Sequence, residues 1–386
     1  MPHTSAAIEV QWFYRFLRGP HECDLRDHIA LQLRDCYMTT NKQPSVSVII
    51  PTYNRGYCVC RAIDSVLKQT YRDYEIVIVD DGSVDDTRER VAQYGDAVRY
   101  LRKPNGGAGS ARNEGLRHAR GRYVAWLDSD DVWSPWKLDL QMQVFQRLPD
   151  VKLVCSDFSA VDKAGRLTPS YIMKYYHAYR YYKNDLYNVY EWSVLLDYEE
   201  EIHGRVKQSV NVYVGNIYEK MIWGNLIHTS TIVFKRELVD IVGLFDESFD
   251  TCEDYDFHLR VCKEAYVGYL DLPTTLYRRG TPDQLTNNSE DALLRQYTVL
   301  LRMIQSVAQR DPPLVTRYPK WLDHWLGKSH AELADLLALR NPPAALDHWR
   351  TALHHAPLLA LSPRVLARVL FPKVIVRLVV AAKARL

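Results

Sequence analysis

The sequence predicts an α/β protein built on a mostly parallel, Rossmann-like sheet and followed by a helical C-terminal extension. Three observations carry this. Short β-branched runs alternate with helical patterns between residues 45 and 156, and strands alternating with helices of about 10–15 residues imply βαβ units. The runs are continuously apolar, as expected of strands covered on both faces. Beyond residue 156 the alternation stops, and residues 290–386 read as helices punctuated by proline.

In chain order, residues 1–43 carry Trp12, Phe13, Tyr14 and Phe16 and read as a helical arm. Strands are expected at 45–51 (SVSVIIP), 74–81 (YEIVIVDD), 97–102, 123–128 and 151–156, with helices near 57–69, 85–94, 107–120 and 135–147. Residues 162–165 (DKAG) read as a turn between two short strands. Residues 171–190 hold eight tyrosines. A strand at 231–235, a helix at 253–265 and a strand at 267–270 close the α/β part. The expected layout is an arm at 1–44, a domain at 45–285 and a helical extension at 286–386.

Composition narrows the function. The 386 residues carry 49 Lys+Arg against 47 Asp+Glu, a net charge of +2, which leaves no general nucleic-acid footprint. No stretch of about 18 uncharged apolar residues suggests a spanning helix. The N-terminus lacks a signal-peptide layout, and the seven cysteines form no CxxC pair. Reduced thiols in a cytoplasmic protein are the simple expectation.

Chemistry is concentrated where strands end, the edge at which open α/β sheets bind ligands. Asp128-Ser129-Asp130-Asp131 follows the fourth strand. On an extended chain, carboxylates at i and i+2 point the same way, so Asp128 and Asp130 could share a hard divalent cation, with Asp131 in reserve. A solvated acidic turn capping the next helix is the competing reading. Asp80, Asp81 and Gly82 end the second strand and could receive a base N–H or a ribose hydroxyl; an Asx turn with a helix cap explains them equally well. In 51–55 (PTYNR), Pro51 is expected to end the ladder and Tyr53 to lie over a base ring. The glycine-rich helix start at 105–113 could approach a sugar diphosphate, with Arg112 as counter-charge. It holds only GxG of the dinucleotide fingerprint, and GxxxxGK[ST] is absent, so neither a nicotinamide dehydrogenase nor a Walker-type NTPase is supported.

Taken together, PTYNR at 51–55, VDDGSVDDT at 79–87, NGGAGSARNEGL at 105–116 and DSDD at 128–131 resemble, in order and spacing, the family 2 glycosyltransferases, which have the GT-A fold. VGLFDE at 242–247 and CEDYDFHLR at 252–260 look like that family's GxFDE and EDxDxxLR segments, so the resemblance covers roughly 45–280. It implies inverting transfer of one sugar from a nucleotide-diphosphate donor to a hydroxyl of a glycan or glycolipid, in cell-surface polysaccharide synthesis. Donor-binding residues would be Pro51, Thr52, Tyr53, Asn54, Arg55, Asp80, Asp81, Gly82, Asn105, Gly107, Ala111, Arg112, Asp128 and Ser129. Asp130, with Asp128, would hold Mg²⁺ or Mn²⁺. Asp254 is the candidate base and Glu253 the neighbour it could be confused with; helix capping is the plain alternative for both. Asp256 and Arg260 are spaced for an ion pair on that helix. Where the family often has a histidine after Tyr-Arg, this chain has Arg278, Arg279 and Gly280, so one of the arginines would clamp phosphate. The processive QxxRW sequence is absent.

Two other readings stay open. A polyprenyl-phosphate sugar synthase would be expected to carry C-terminal spanning helices, and a non-catalytic sugar-nucleotide-binding scaffold would not need Asp130 and Asp254. The tyrosines of 171–190 could stack on sugars, or form a partly buried insert with hydroxyls in water. Asn225 and His228 could face the acceptor or serve the core. Residues 365–386 interleave cations with apolar runs and are expected to touch an anionic membrane surface or to pack as a cap. Residues 328–358 are similar to one helix–turn–helix unit of tetratricopeptide type, a surface for binding another protein or for self-association.

Overall fold

The computed structural model describes residue 13 and residues 43–200, 206–280 and 289–370. The expected arm at 1–44 and the tail at 371–386 therefore lie almost wholly outside the described residues. Phe13 is helical and fully buried in a small cluster with Val132, Val161 and Leu276.

The first compact unit spans Met1–Ser248 and Glu253–Thr281. Its strands are β1 (Val46–Thr52), β2 (Tyr74–Asp80), β3 (Arg99–Arg102), β4 (Tyr123–Trp126), β5 (Val132–Trp133), β6 (Val151–Val161), β7 (Leu167–Thr168), β8 (Trp192–Glu200), β9 (Val206–Gly215), β10 (Val233–Lys235) and β11 (Tyr266–Arg278). Among the described residues they form one sheet in the order β3-β2-β1-β4-β10-β6-β11-β9-β8, with β5 on β11 and β7 on β6. The strands from β3 to β4 are parallel, β10 runs antiparallel to both neighbours, and β6 pairs parallel with β11. Its helices are α1 (Gly56–Leu67), α2 (Thr87–Ala92), α3 (Gly107–His118), α4 (Lys137–Arg147), α5 (Ile172–Tyr175), α6 (Tyr218–Met221), α7 (Glu237–Val242) and α8 (Glu253–Glu264).

β1 and β2 are buried along their whole length. α1 packs Val59, Ala62, Ile63 and Val66, spaced three and four apart, into the core they share. Gly115 lets α3 lie close on β1, since a Cβ there would stand 2.4 Å from Ile49 Cγ2. Pro51 does not end the ladder as expected: β1 pairs with β2 through Thr52, while its pairing to β4 stops at Ile49. The missing proline N–H therefore falls where no β4 partner needs it.

An aromatic cluster supports the sheet edge. Trp126 packs edge-on against Phe245 and Phe257, whose rings stack 4.3 Å apart. Asn113 Nδ2 donates to the Phe245 carbonyl at 3.0 Å, and Phe245 N donates back to Asn113 Oδ1 at 2.8 Å. Arg260 donates to Asp256 and to the carbonyl of Leu244, both at 2.9 Å. Asn113, Phe245 and Arg260 thus clamp the 242–247 segment between α3 and α8.

The second unit comprises Phe249–Cys252 and Pro282–Leu386. Its helices are α9 (Glu290–Arg310), α10 (Pro312–Arg317), α11 (Pro319–Leu337), α12 (Pro342–His355), α13 (Pro357–Ala360) and α14 (Pro363–Leu370). All except α9 begin at proline, whose fixed φ and missing N–H suit a first helical turn. α11 and α12 form a helical hairpin. Two cross-pairs on their facing sides, Asp323 with His355 and His330 with His348, each close at 2.8 Å.

Candidate active site

The carboxyl ends of β1, β2 and β4 carry the loops 52–56, 80–87 and 128–131. The first two are zipped together. Asn54, at φ 52°, donates through its N–H to Ser83 Oγ at 2.9 Å and accepts from Val84 N at 2.9 Å. Arg55 N donates to Thr87 Oγ1 at 3.0 Å and Gly56 N to Asp85 at 3.0 Å. Thr52 is buried and its hydroxyl has no partner among the described residues, whereas Tyr53 stands 45% exposed beside it.

Asp80 and Asp81 are held differently from expectation. Asp80 is fully buried, accepting from Ser83 N at 2.7 Å and from the Tyr100 hydroxyl. Asp81 accepts from Gly106 N, from Gly107 N at 2.7 Å and from Lys103 Nζ at 2.7 Å. It therefore caps the glycine-rich start of α3, where backbone N–H groups and the helix dipole favour a carboxylate. Gly82, at φ +87°, makes the reversal that aims Asp81 there, and a Cβ on it would press on Asn105 N at 3.0 Å. Both carboxylates are thus engaged by protein groups, and of the 52–55 loop Tyr53 is the exposed side chain.

Arg112 is also engaged within the protein. It is buried and donates to Asp128 at 2.9 Å and to Glu253 at 2.7 Å. Burial alone would lower its pKa, but the two carboxylates outweigh that and hold it fully charged. It is therefore not a free counter-charge for a diphosphate; it joins the end of β4 to the start of α8. Ala111 and Ser129 are likewise buried.

The 128–131 segment is a turn, closed by Asp131 N on the Asp128 carbonyl at 3.0 Å, so the extended-chain argument for its carboxylates does not apply. Crowding brings them together instead. Burial, then the charges of Asp131 and Asp128, push the Asp130 carboxyl up to about 7, against the pull of Arg55. Asp131 is buried and turned inward, receiving Arg278 N at 3.3 Å and lying 3.6 Å from His228 Nε2. Arg278 places its guanidinium 5.9 Å from the centre of the Tyr57 ring. Arg55 and Arg278 also act on Cys58, whose thiol burial raises to about 12. Arg279 instead donates to the Tyr171 hydroxyl at 2.8 Å and stacks on that ring, so of these two arginines it is Arg278 that reaches the 128–131 turn, through its backbone N–H.

Glu253 and Asp254 open α8 side by side with different partners. Glu253 is buried on Arg112, and burial raises its pKa against that pairing. Asp254 is half-buried, accepting from Thr229 Oγ1 at 2.9 Å and from Tyr255 N at 2.7 Å. Burial would raise its pKa, but His258, Arg112 and these hydrogen bonds hold it below the usual carboxylate range. His258, one helical turn on, is fully buried with neither ring nitrogen bonded among the described residues, and burial lowers its pKa to about 4. His258 and Thr229 were not singled out from sequence; the i, i+4 spacing from Asp254 was the available signal for His258.

The tyrosine insert is a staple whose key hydroxyls meet protein, not water. A 3₁₀ helix spans His177–Tyr182, and its three-residue period puts Tyr176, Tyr179 and Tyr182 on one side. Their hydroxyls meet His228 Nδ1 at 3.3 Å, the Leu226 carbonyl at 2.8 Å and the Lys220 carbonyl at 2.9 Å. The chain leading from α6 to Thr229 is thereby fixed beside Asp254. Asn225 serves locally, accepting from Ile227 N at 3.1 Å.

Comparison with known proteins agrees with this architecture. Residues 47–197 match the model of glycosyl transferase family 2. An uncharacterized glycosyltransferase of Rickettsia prowazekii is 31% identical over 312 residues, covering 80% of this chain and 84% of its own. The UDP-Glc:alpha-D-GlcNAc-diphosphoundecaprenol beta-1,3-glucosyltransferase of Escherichia coli is 43% identical over 101 residues, 26% of this chain and 40% of its own. The crystal structure of S. aureus TarS 1-349 in complex with UDP-GlcNAc superposes with a TM-score of 0.50 at 18% identity, over 83% of this chain and 91% of that one.

Proposed function

The chain belongs to glycosyltransferase family 2, and from that premise we propose that it moves a single sugar, with inversion, from a nucleotide-diphosphate donor to a hydroxyl of a lipid-linked glycan. The observation that carries this is the split between adjacent carboxylates: Glu253 is spent on Arg112, while Asp254 is ionised and half-exposed at the same sheet edge as Asp130.

In this reading the base lies against Tyr53, and the diphosphate lies between Asp130 and Arg278. A divalent cation fits Asp130: burial first, then the charges of Asp131 and Asp128, raise its carboxyl against the pull of Arg55, and a bound cation would favour its ionised form. Among the described residues no three His, Cys, Asp or Glu side chains converge as a complete metal shell. Mg²⁺ or Mn²⁺ takes one or two carboxylates and completes its shell with substrate phosphates. When bound, the ion supplies charge neutralisation to the leaving diphosphate.

The protein's own groups do the rest. Asp254 receives the proton of the attacking hydroxyl, and its low pKa keeps it ionised and ready. Thr229 and the Tyr255 N–H fix its orientation. Arg112 holds the two halves of the site in register, and the tyrosine staple fixes the acceptor-side wall. The acceptor class follows the E. coli relative, whose name specifies a diphosphoundecaprenol-linked sugar. Contact with a membrane surface through the C-terminal segment accords with such an acceptor.

A thermal-shift screen of nucleotide sugars, with Mn²⁺ or with EDTA, tests the reading. One donor should stabilise the protein only with metal and then release nucleotide diphosphate slowly. Stabilisation without any release in the presence of undecaprenyl-linked acceptors would favour a binding scaffold instead.

A further inference from the structure

Residues 228–230 stand between the two halves of the candidate site and touch both. His228 Nε2 lies 3.6 Å from Asp131 Oδ2 on the acidic turn. Thr229 Oγ1 donates to Asp254 at 2.9 Å. Ser230 Oγ turns back to the acidic turn and accepts from Asp128 N at 3.1 Å. A 3₁₀ turn over Thr229–Thr231 keeps the stretch short. It is pinned from behind, because the Ser230 carbonyl accepts from Trp133 Nε1 at 2.7 Å and from Thr275 Oγ1 at 3.2 Å.

Of the three side chains, His228 has unfinished bonding. It is buried, with its ring stacked on Phe158 at 4.3 Å and set edge-on to Tyr277 at 5.0 Å. Its Nδ1 lies 3.3 Å from the Tyr176 hydroxyl. Nε2 and Asp131 Oδ2 face each other, both buried and both without a hydrogen-bond partner among the described residues. Two buried polar atoms left unpaired are costly, and a shift of about half an ångström would bring this pair within bonding distance. A neutral ring that accepts at Nδ1 from the tyrosine carries its proton on Nε2, the form that can donate to Asp131.

We infer that His228 is a positioning residue for the transfer step: in the working enzyme its Nε2–H donates to Asp131, and through Thr229 it holds Asp254 in place against the donor edge. This role rests on the functional reading above, in which the acidic turn faces the donor and Asp254 takes the acceptor proton. Plain packing among Phe158 and Tyr277 is the competing role, and it would need the ring but neither nitrogen.

Three substitutions separate the nitrogens from the ring. His228→Phe keeps a ring on Phe158 and removes both nitrogens. His228→Asn places its amide near Nδ1, whereas His228→Gln reaches the position of Nε2. Release of nucleoside diphosphate by the full chain is followed with Mn²⁺, with UDP-glucose, UDP-N-acetylglucosamine or GDP-mannose as donor, and with GlcNAc-diphosphoundecaprenol as acceptor. His228→Phe and His228→Asn should lower kcat by roughly 10–100-fold, the effect of a small misplacement of a reacting group, with Mn²⁺-dependent donor affinity within about threefold of the parent. His228→Gln should restore most of the lost rate. Melting midpoints show which variants fold, and if His228→Asn does not, His228→Phe carries the comparison with His228→Gln. Parental kcat in His228→Phe overturns the role. So does a kcat in His228→Gln no higher than in the folded one of the other two, or a loss confined to donor affinity. A parent that binds a donor with Mn²⁺ yet releases no diphosphate with acceptor overturns the functional reading instead, and the role of His228 falls with it.

Discussion

Arg112 donates to Glu253 at 2.7 Å across 141 residues of sequence, in a buried contact that ties the glycine-rich helix to the helix bearing Asp254. The same guanidinium reaches Asp128 at 2.9 Å. One side chain thus sets the spacing between the proposed donor edge and the proposed base.

Removing one member of such a buried pair strands the other. Arg112→Met should lower the unfolding free energy by about 3–5 kcal/mol in urea titration. Glu253→Gln should lower it less, because Asp128 still compensates Arg112.

Turnover should rank the neighbours the other way. Asp254→Asn should cut the rate of nucleotide diphosphate release with acceptor by roughly 10²–10⁴, with donor affinity nearly unchanged. Equal, mild losses in Asp254→Asn and Glu253→Gln would reduce both to helix capping.

Asp130 gives a prediction in pH. Its folded pKa, about 7, lies above the unfolded value. The folded protein then holds a proton that the unfolded chain has released, so metal-free stability declines as pH rises from about 4 to 7. Asp130→Asn should therefore melt higher than the parent at pH 8 without metal and like it near pH 4. Mn²⁺ affinity of the parent should rise through pH 7, and the variant should lose metal-dependent nucleotide binding.

Much of the fold was legible because β1 and β2 are continuous β-branched runs whose helices follow at regular spacing. β11 was not: Asp271 and Pro273 suggest an end at residue 270, but irregular register near Leu270 and Pro273 lets pairing continue to Arg278. The β8–β9 hairpin was also missed, its acidic and polar residues obscuring the alternation. In the site, the acidic clusters were legible by type and position, but not by partner. Nothing local in NGGAGSARNEGL tells that Arg112 meets a residue on another helix, or that Asp81 caps that segment. The three-residue period of Tyr176, Tyr179 and Tyr182 was present in the sequence, yet reads as a staple only once the 3₁₀ helix is known.

That staple separates two tyrosines by effect. Tyr179→Phe leaves the buried Leu226 carbonyl without its donor and should cost about 1–3 kcal/mol. Tyr181, 50% exposed on the other side, should change stability by less than about 0.5 kcal/mol as Tyr181→Phe. Thermal melts of the two variants at equal concentration check the difference.

The α11–α12 hairpin should loosen in acid. His330 and His348 face each other Nδ1 to Nδ1 at 2.8 Å, so one ring donates and the other accepts while both are neutral. Burial, then His348 and His355, lower the His330 pKa to about 4. Burial also lowers that of His348, against the opposing charge of Asp347. In the unfolded chain both rings take protons near pH 6.5. Between about pH 6.5 and 4 the unfolded state therefore binds more protons, and stability rises with pH across that window. The contribution is complete above pH 6.5 and is lost as pH falls towards 4. Replacing both partners by apolar residues, as in His330→Leu/His348→Leu, should remove on the order of 1 kcal/mol of this acid sensitivity, allowing for partial exposure. Amide hydrogen exchange of α11 and α12 at pH 7.5 and pH 5, corrected for intrinsic rates, reads the effect locally. The parent should lose protection on acidification and the double variant should lose clearly less; equal losses would place the acid-sensitive group elsewhere.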